Sequence, residues 1–238
     1  MNPGALHEAL QEARTAGFLG PGPIEEHLAH AEGFLTLARQ EAGSAAVRLL
    51  DLGSGGGLPG LVLASEWPAA TVVLLEANQR RARFLEQAVL RCGLEDRVSV
   101  ADQRAELYGR EGSHRATFDG VVARSFGPPA VVAECAAPLL RVGGWLIVSE
   151  PPAEATAPTE CGPAMATEEP GEGALPGIGP AGDSPAGTRW PAEPLARFGL
   201  EPTASVRNRF GYQVLRQRRL CPEEFPRRNG VPAKRPLF

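Results

Sequence analysis

The sequence predicts an α/β fold: a mostly parallel sheet with helices on both faces and an antiparallel last strand. Three observations carry this. Short apolar, β-rich runs alternate with helix-like stretches through the middle of the 238-residue chain, the pattern of a parallel sheet covered on both sides. A glycine-dense bend, GSGGGLPG, follows the first of those runs, where a parallel sheet presents its carboxyl edge. Two further runs, LEPTASVRN and YQVLRQRRL, are joined near Phe210-Gly211, a spacing that suits an antiparallel pair at a sheet edge.

Residues 1–44 read as a helical segment. IEEHLAHAEGFLTLARQ places Ile24, Leu28, Ala31, Leu35 and Ala38 on one helical stripe, and the preceding GFLGPGP is a breaker. Residues 45–150 form the α/β core. AVRLLDLG is the first strand, and GLVLASEW a helix that stops near Pro68. TVVLLEAN is the second strand, and RRARFLEQAVLRCG a helix with Gly93 just past its end. RVSVAD and FDGVVARS supply the third and fourth strands. PPAVVAECAAPLLRVGG reads as a helix stopped by Gly143-Gly144, with WLIVSE as the fifth strand. Residues 151–190 are dense in Pro, Gly, Ala and Glu and poor in large apolar side chains. They are expected to be a flexible insertion, because they bury too little to offset ordering. Residues 191–238 comprise the strand pair and a basic tail, FPRRNGVPAKRPLF, whose prolines argue against regular structure.

Composition excludes several functions. No apolar run is long enough to span a bilayer, and the N-terminal stretch lacks the basic-then-apolar pattern of a signal peptide, so the expected location is cytoplasmic. Cys92, Cys135, Cys161 and Cys221 are far apart and form no metal-type pair. His27 and His30 are neighbours on a helix but lack a third ligand, so no metal is expected. The net charge of −4 argues against nonspecific nucleic-acid binding. It conceals a basic end in which Arg197, Arg207, Arg209, Arg216, Arg218, Arg219, Arg227, Arg228, Lys234 and Arg235 face only Glu201, Glu223 and Glu224.

Five glycines within residues 53–60 cost conformational entropy, which a ligand cradle would explain. Gly53, Gly55 and Gly57 follow G-x-G-x-G, and Leu58 stands where a dinucleotide-binding loop has its third glycine. No Gly-Lys-Ser/Thr follows, so the bend is not a phosphate loop. Asp51 precedes the first glycine; a carboxylate there suits an ammonium group and repels a pyrophosphate. Glu76 ends the second strand, placed to accept hydrogen bonds from ribose hydroxyls. A ligand with an ammonium, a sulfonium and a ribose fits these features: S-adenosylmethionine.

DLGSGGGLPGLVLA, RRARFLEQ, RAEL, FDGVVARSF and the tail ending P-x-K-R-P-L resemble the bacterial glucose-inhibited division protein B family. That resemblance implies a Rossmann-like class I methyltransferase that uses S-adenosylmethionine to methylate ring nitrogen seven of a guanine in 16S ribosomal RNA. It implies a small-subunit RNA or ribosomal particle as partner. It places cofactor contacts at Gly53, Leu58, Ala105, Glu106 and Arg124, with Asp51, Gly55, Gly57 and Glu76 added from the chemistry above. Arg227, Arg228, Lys234 and Arg235 would neutralise RNA phosphates, and Phe225 and Phe238 would stack on bases or pack on the domain. Two departures stand out. Glu150 occupies a position where that family commonly has lysine, and His27-Leu28-Ala29-His30-Ala31 replaces its His-x-x-Asp-Ser. A methyltransferase of a different substrate, or a cofactor-binding relative without turnover, are the alternatives they raise.

Overall fold

The computed structural model describes residues 3–43, 45–151 and 189–238. The insertion expected at 151–190, and Cys161 within it, lie almost wholly outside the described residues. Seven strands form one sheet, in the order β3-β2-β1-β4-β5-β7-β6. They are β1 (Val47–Leu52), β2 (Ala70–Glu76), β3 (Val98–Asp102), β4 (Phe118–Ala123), β5 (Leu140–Glu150), β6 (Leu200–Arg207) and β7 (Gly211–Gln217). The first five run parallel, and β7 runs antiparallel to both β5 and β6. β1 is central, pairing Leu50 with Val73 on one side and Val121 on the other.

Side-chain alternation along the strands separates two cores. Leu49, Leu74, Ile147 and Val214 join one cluster with Phe34, Leu61 and Phe84. These come from α2 (Ile24–Ala42), α3 (Gly60–Glu66) and α4 (Gln79–Cys92), and α1 (Pro3–Thr15) adds Ala5, Ala9 and Ala13. Leu50, Leu52, Val121, Leu146 and Leu215 face the other way. There they meet α5 (Ala105–Tyr108), α6 (Pro129–Ala136) and α7 (Ala192–Ala196). Asn78 caps α4 by accepting from the Arg80 and Arg81 amides at 3.0 and 3.2 Å, and Gly93 closes it in the left-handed conformation. α2 crosses the sheet closely: a Cβ on Gly33 would lie 2.0 Å from the Tyr212 hydroxyl oxygen.

Two expectations change. Gly143-Gly144 do not stop a helix. α6 ends at Ala136, Pro138 sits in a 3-10 turn (Ala137–Leu139), and the glycines lie inside β5. Pairing there jumps from Phe118–Leu140 to Gly120–Trp145, so extra β5 residues bulge out, and glycine accommodates the bend. The tail also acquires regular structure, a one-turn helix α8 (Val231–Lys234). It is held by side chains that its own sequence does not contain. Arg115 donates to the carbonyls of Phe225, Cys221 and Pro222 at 2.7–3.2 Å and to that of Gly109 at 3.0 Å. Phe225 packs edge-on against Phe198 at 4.8 Å and is buried, and Phe238 packs against the same core. Packing is thus the role of both rings here. Among the described residues no helix is long and apolar enough to cross a membrane.

A planar fork that satisfies four carbonyls has no ammonium equivalent. Arg115→Lys should therefore lower stability by about 2 kcal/mol or more, read as a shifted urea midpoint at unchanged slope.

Candidate functional site: a crevice at the carboxyl edge of the sheet

β1 and β2 end side by side, which brings their terminal acids to the glycine bend. The bend is fastened through its backbone. Gly53 and Ser54 amides both donate to the Leu75 carbonyl, at 2.9 and 3.0 Å. The Gly55 amide donates to Glu76 Oε2 and the Asn78 amide to Glu76 Oε1, each at 2.8 Å. Glu76 is buried, yet a carboxylate has about four lone-pair sites, so these two bonds leave acceptor capacity for a sugar diol.

Asp51 lies beneath the bend. It is 1% exposed, lines none of the cavities described below, and its Oδ2 accepts from the Gly60 amide at 3.0 Å at the start of α3. Oδ1 is buried without a partner. Burial pushes the Asp51 carboxyl up to about 7, against the pull of the Gly60 amide, Ser54 and Arg124. The glycines divide similarly. Gly55 has φ +55°, and a Cβ there would meet nothing closer than 3.7 Å. Gly57, at φ +95°, faces inward, where a Cβ would sit 2.4 Å from Leu61 Cδ1. A Cβ on Gly53 would reach 2.5 Å from the Phe126 ring.

Three cavities meet here. One of about 170 Å³ is bordered by Gly53, Glu76, Gln103, Ala105 and Phe126. The second, about 250 Å³, is bordered by Phe18, Gly55, Leu58, Arg81 and Arg124. The third, about 610 Å³, is bordered by His27, His30, Arg124, Phe126, Arg209 and Phe210. Ser125, held at φ +54°, borders all three, between Arg124 and Phe126. The two smaller cavities fit the parts of S-adenosylmethionine. Glu76 offers free lone pairs, Gly55 a surface without a side chain, and Arg124 and Arg81 positive charge for a carboxylate.

Of the remaining expected contacts, Ala105 and Leu58 border the crevice. Glu106 is buried and turned to the tail, its Oε1 accepting from the Gly230 amide at 2.9 Å. Among the basic tail residues, Arg228, Lys234 and Arg235 are exposed. Arg227 is not free for a phosphate: its guanidinium forks onto the buried Glu134 at 2.8 and 2.6 Å, and its amide donates to Glu134 Oε1 at 2.8 Å. Glu150, which the sequence places as an acid facing RNA, is buried. Its Oε1 accepts from Trp190 Nε1 at 2.7 Å, and Oε2 lies 3.3 Å from Arg189 and 3.9 Å from Arg207. The carboxylate is matched where it stands, on the border of the large cavity, where Arg189 pairs with it and Arg209 pairs with Glu26.

Sequence reading missed His27 as part of the site. Its Nδ1 lies 2.5 Å from Arg124 Nη2 and its Nε2 3.1 Å from the Gly20 carbonyl. The three-residue spacing from His30 was the available signal, since it sets both rings toward one face of α2. Phe18 and Arg81 carried no signal, because chain folding alone brings them to the bend.

Two outcomes follow from this geometry. Gly55→Val should weaken adenosylhomocysteine binding by calorimetry at least tenfold, since a branched residue resists φ +55° and its methyls enter the cavity. Gly57→Ala should instead lower the melting temperature, its Cβ colliding with Leu61. For Asp51, a carboxyl raised from its ordinary value near 3.8 to about 7 contributes stability that is present at low pH and lost as pH climbs between them. Asp51→Asn should therefore gain stability relative to the parent as pH rises from about 4 to 7, by on the order of a few kcal/mol in urea titrations of the ligand-free protein.

Comparison with known proteins agrees with this geometry. The model of a family described as rRNA small subunit methyltransferase G matches residues 25–153. The ribosomal RNA small subunit methyltransferase G of Rubrobacter xylanophilus is 35% identical over 81% of this chain and 66% of its own length. The protein of the same description from Thermotoga neapolitana is 33% identical over 80% of this chain and 71% of its own. The chain thus spans about two thirds of the length of these relatives. Among solved structures, a protein from Klebsiella pneumoniae aligns over 92% of this chain and 91% of its own, with TM-score 0.55 and 16% identity. One from Corynebacterium glutamicum aligns over 91% and 90%, with TM-score 0.54 and 17% identity. These two share the fold. On the sequence matches, the chain belongs to the rRNA small subunit methyltransferase G family.

Proposed function

We propose that this chain forms 7-methylguanine in 16S ribosomal RNA, acting in the cytoplasm on the RNA or its small-subunit particle. The observation that carries the reading is the meeting of the cofactor-sized crevice with the 610 Å³ cavity at Arg124–Phe126. A base lodged in the large cavity lies against the same residues as a cofactor in the crevice.

S-adenosylmethionine supplies an electrophilic methyl group when bound. The protein's task is placement. Guanine N7 carries an exposed lone pair on the major-groove edge of the base, so no general base is required for attack, and alignment alone is worth several kcal/mol. Gly53, Gly55 and Leu58 shape the cradle and Glu76 takes the sugar hydroxyls. Ala105 borders the crevice, and Asp51, Gly57 and Glu106 hold the surrounding backbone. Arg124 borders both spaces. Guanine O6 lies on the same edge as N7 and is the acceptor that would orient the base. Arg228, Lys234 and Arg235, with the arginines at the cavity rim, would neutralise phosphates. Glu150, which borders the large cavity, has its charge matched by Arg189, which supports an RNA substrate over a different one.

Incubation with labelled S-adenosylmethionine and small-subunit RNA or particles should put label into 7-methylguanosine. Arg124→Ala should reduce kcat about a hundredfold. Cofactor binding without label in either RNA substrate would overturn the reading.

A further inference from the structure

We infer that His27 is a positioning residue that holds the Arg124 guanidinium at the junction of the two spaces, and that it does so only as a neutral imidazole protonated on Nε2. The inference rests on the proposed methyl transfer for its kinetic consequences, but not for its structural ones.

The tautomer follows from what each neighbour can do. A carbonyl oxygen only accepts, so the 3.1 Å contact with Gly20 requires a proton on Nε2. A guanidinium only donates, so the 2.5 Å contact with Arg124 Nη2 requires a lone pair on Nδ1. Both constraints select one neutral state of a ring that is 7% exposed. A second proton would set N–H against N–H and positive against positive, and the bond to Arg124 would be lost. Arg124 has no other hydrogen bond among the described residues, and its Nη1 is buried and unpartnered. The imidazole is therefore what fixes the guanidinium in place.

Other charged and titratable groups surround the pair. His30 and Glu26 lie on the same helix and border the same cavity, as does Arg209 from the β6–β7 turn, which pairs with Glu26 at 3.4 Å. Asp51 on β1 and Tyr212 on β7 act on Arg124 electrostatically. Burial, with the nearby Arg124 charge, pushes His30 down to about 4. Asp51 is raised to about 7 by burial.

Histidine-labelled nitrogen-15 spectra of the full chain provide a readout without turnover. At pH 7.5, free and with adenosylhomocysteine, one ring should show a protonated Nε2 and a bare Nδ1, and that signal should be missing from His27→Asn. A protonated Nδ1 or an imidazolium at that site would overturn the proposal, whether or not RNA is methylated. In methyl transfer to small-subunit RNA, His27→Leu should lower kcat about tenfold or more, with KM for the donor changed far less. His27→Asn keeps an acceptor near the Nδ1 position and should recover most of that loss. His27→Asn no more active than His27→Leu, or His27→Leu as active as the parent, would overturn the proposal. A parent that methylates no RNA would instead remove the function proposed above and leave the spectra to judge His27.

Discussion

The site depends on two carboxylates at the ends of adjacent parallel strands, each fastened to a backbone amide of one glycine bend. Asp51 holds the far end at Gly60, and Glu76 holds the near end at Gly55. A bend this rich in glycine has no stiffness of its own. Its shape comes from these bonds and from the Leu75 carbonyl, which takes two more amides. Hydrogen bonds to a carboxylate are stronger than neutral ones, but the burial that makes the clamp rigid also opposes its charge. Asp51 shows that opposition in its raised affinity for a proton. The acid thus acts on the shape of the cradle and on Arg124 through space.

The proposed chemistry is matched to this kind of site. Methylating an exposed ring nitrogen needs two groups aligned and little proton movement, so rigidity and adjoining cavities matter more than an acid–base pair. The Arg124–Phe126 segment carries that burden. Its arginine is oriented by a helix that precedes the sheet core, its serine occupies a strained left-handed conformation, and its phenylalanine fills the space that a side chain on Gly53 would need. Each of these features is local, and each depends on an element distant in sequence. Glu150 follows the same rule: its burial against Trp190 and Arg189 joins the end of β5 to the chain that returns toward β6.

The architecture was legible because its signals are periodic. Apolar runs such as VRLLDL and TVVLLE, buried on both faces, could only be central strands, and Gly93 ended α4 where its conformation required. The bend was legible from Gly53, Gly55 and Leu58, and Glu76 from its place at a strand end. Misreadings arose where one residue type serves two purposes. Gly143-Gly144 accommodate a bulge as readily as they end a helix. Arginines in the tail were counted as free charges, although Arg227 is bound to Glu134. The tail's short helix was missed because prolines argue against helix, while Arg115, Glu106 and Glu134 supply the restraint from elsewhere.

From the sequence by itself come the alternation of strands and helices, the location of the bend and the sulfonium cofactor, since these depend on residues near each other along the chain. Only the tertiary structure decided which carboxylate borders a cavity and which lies beneath the loop, which tail arginine pairs with a carboxylate, and that a histidine of the second helix meets an arginine at the end of the fourth strand. Those outcomes are set by burial and by pairing across 93 to 97 residues of chain, and no local pattern encodes a partner at that distance.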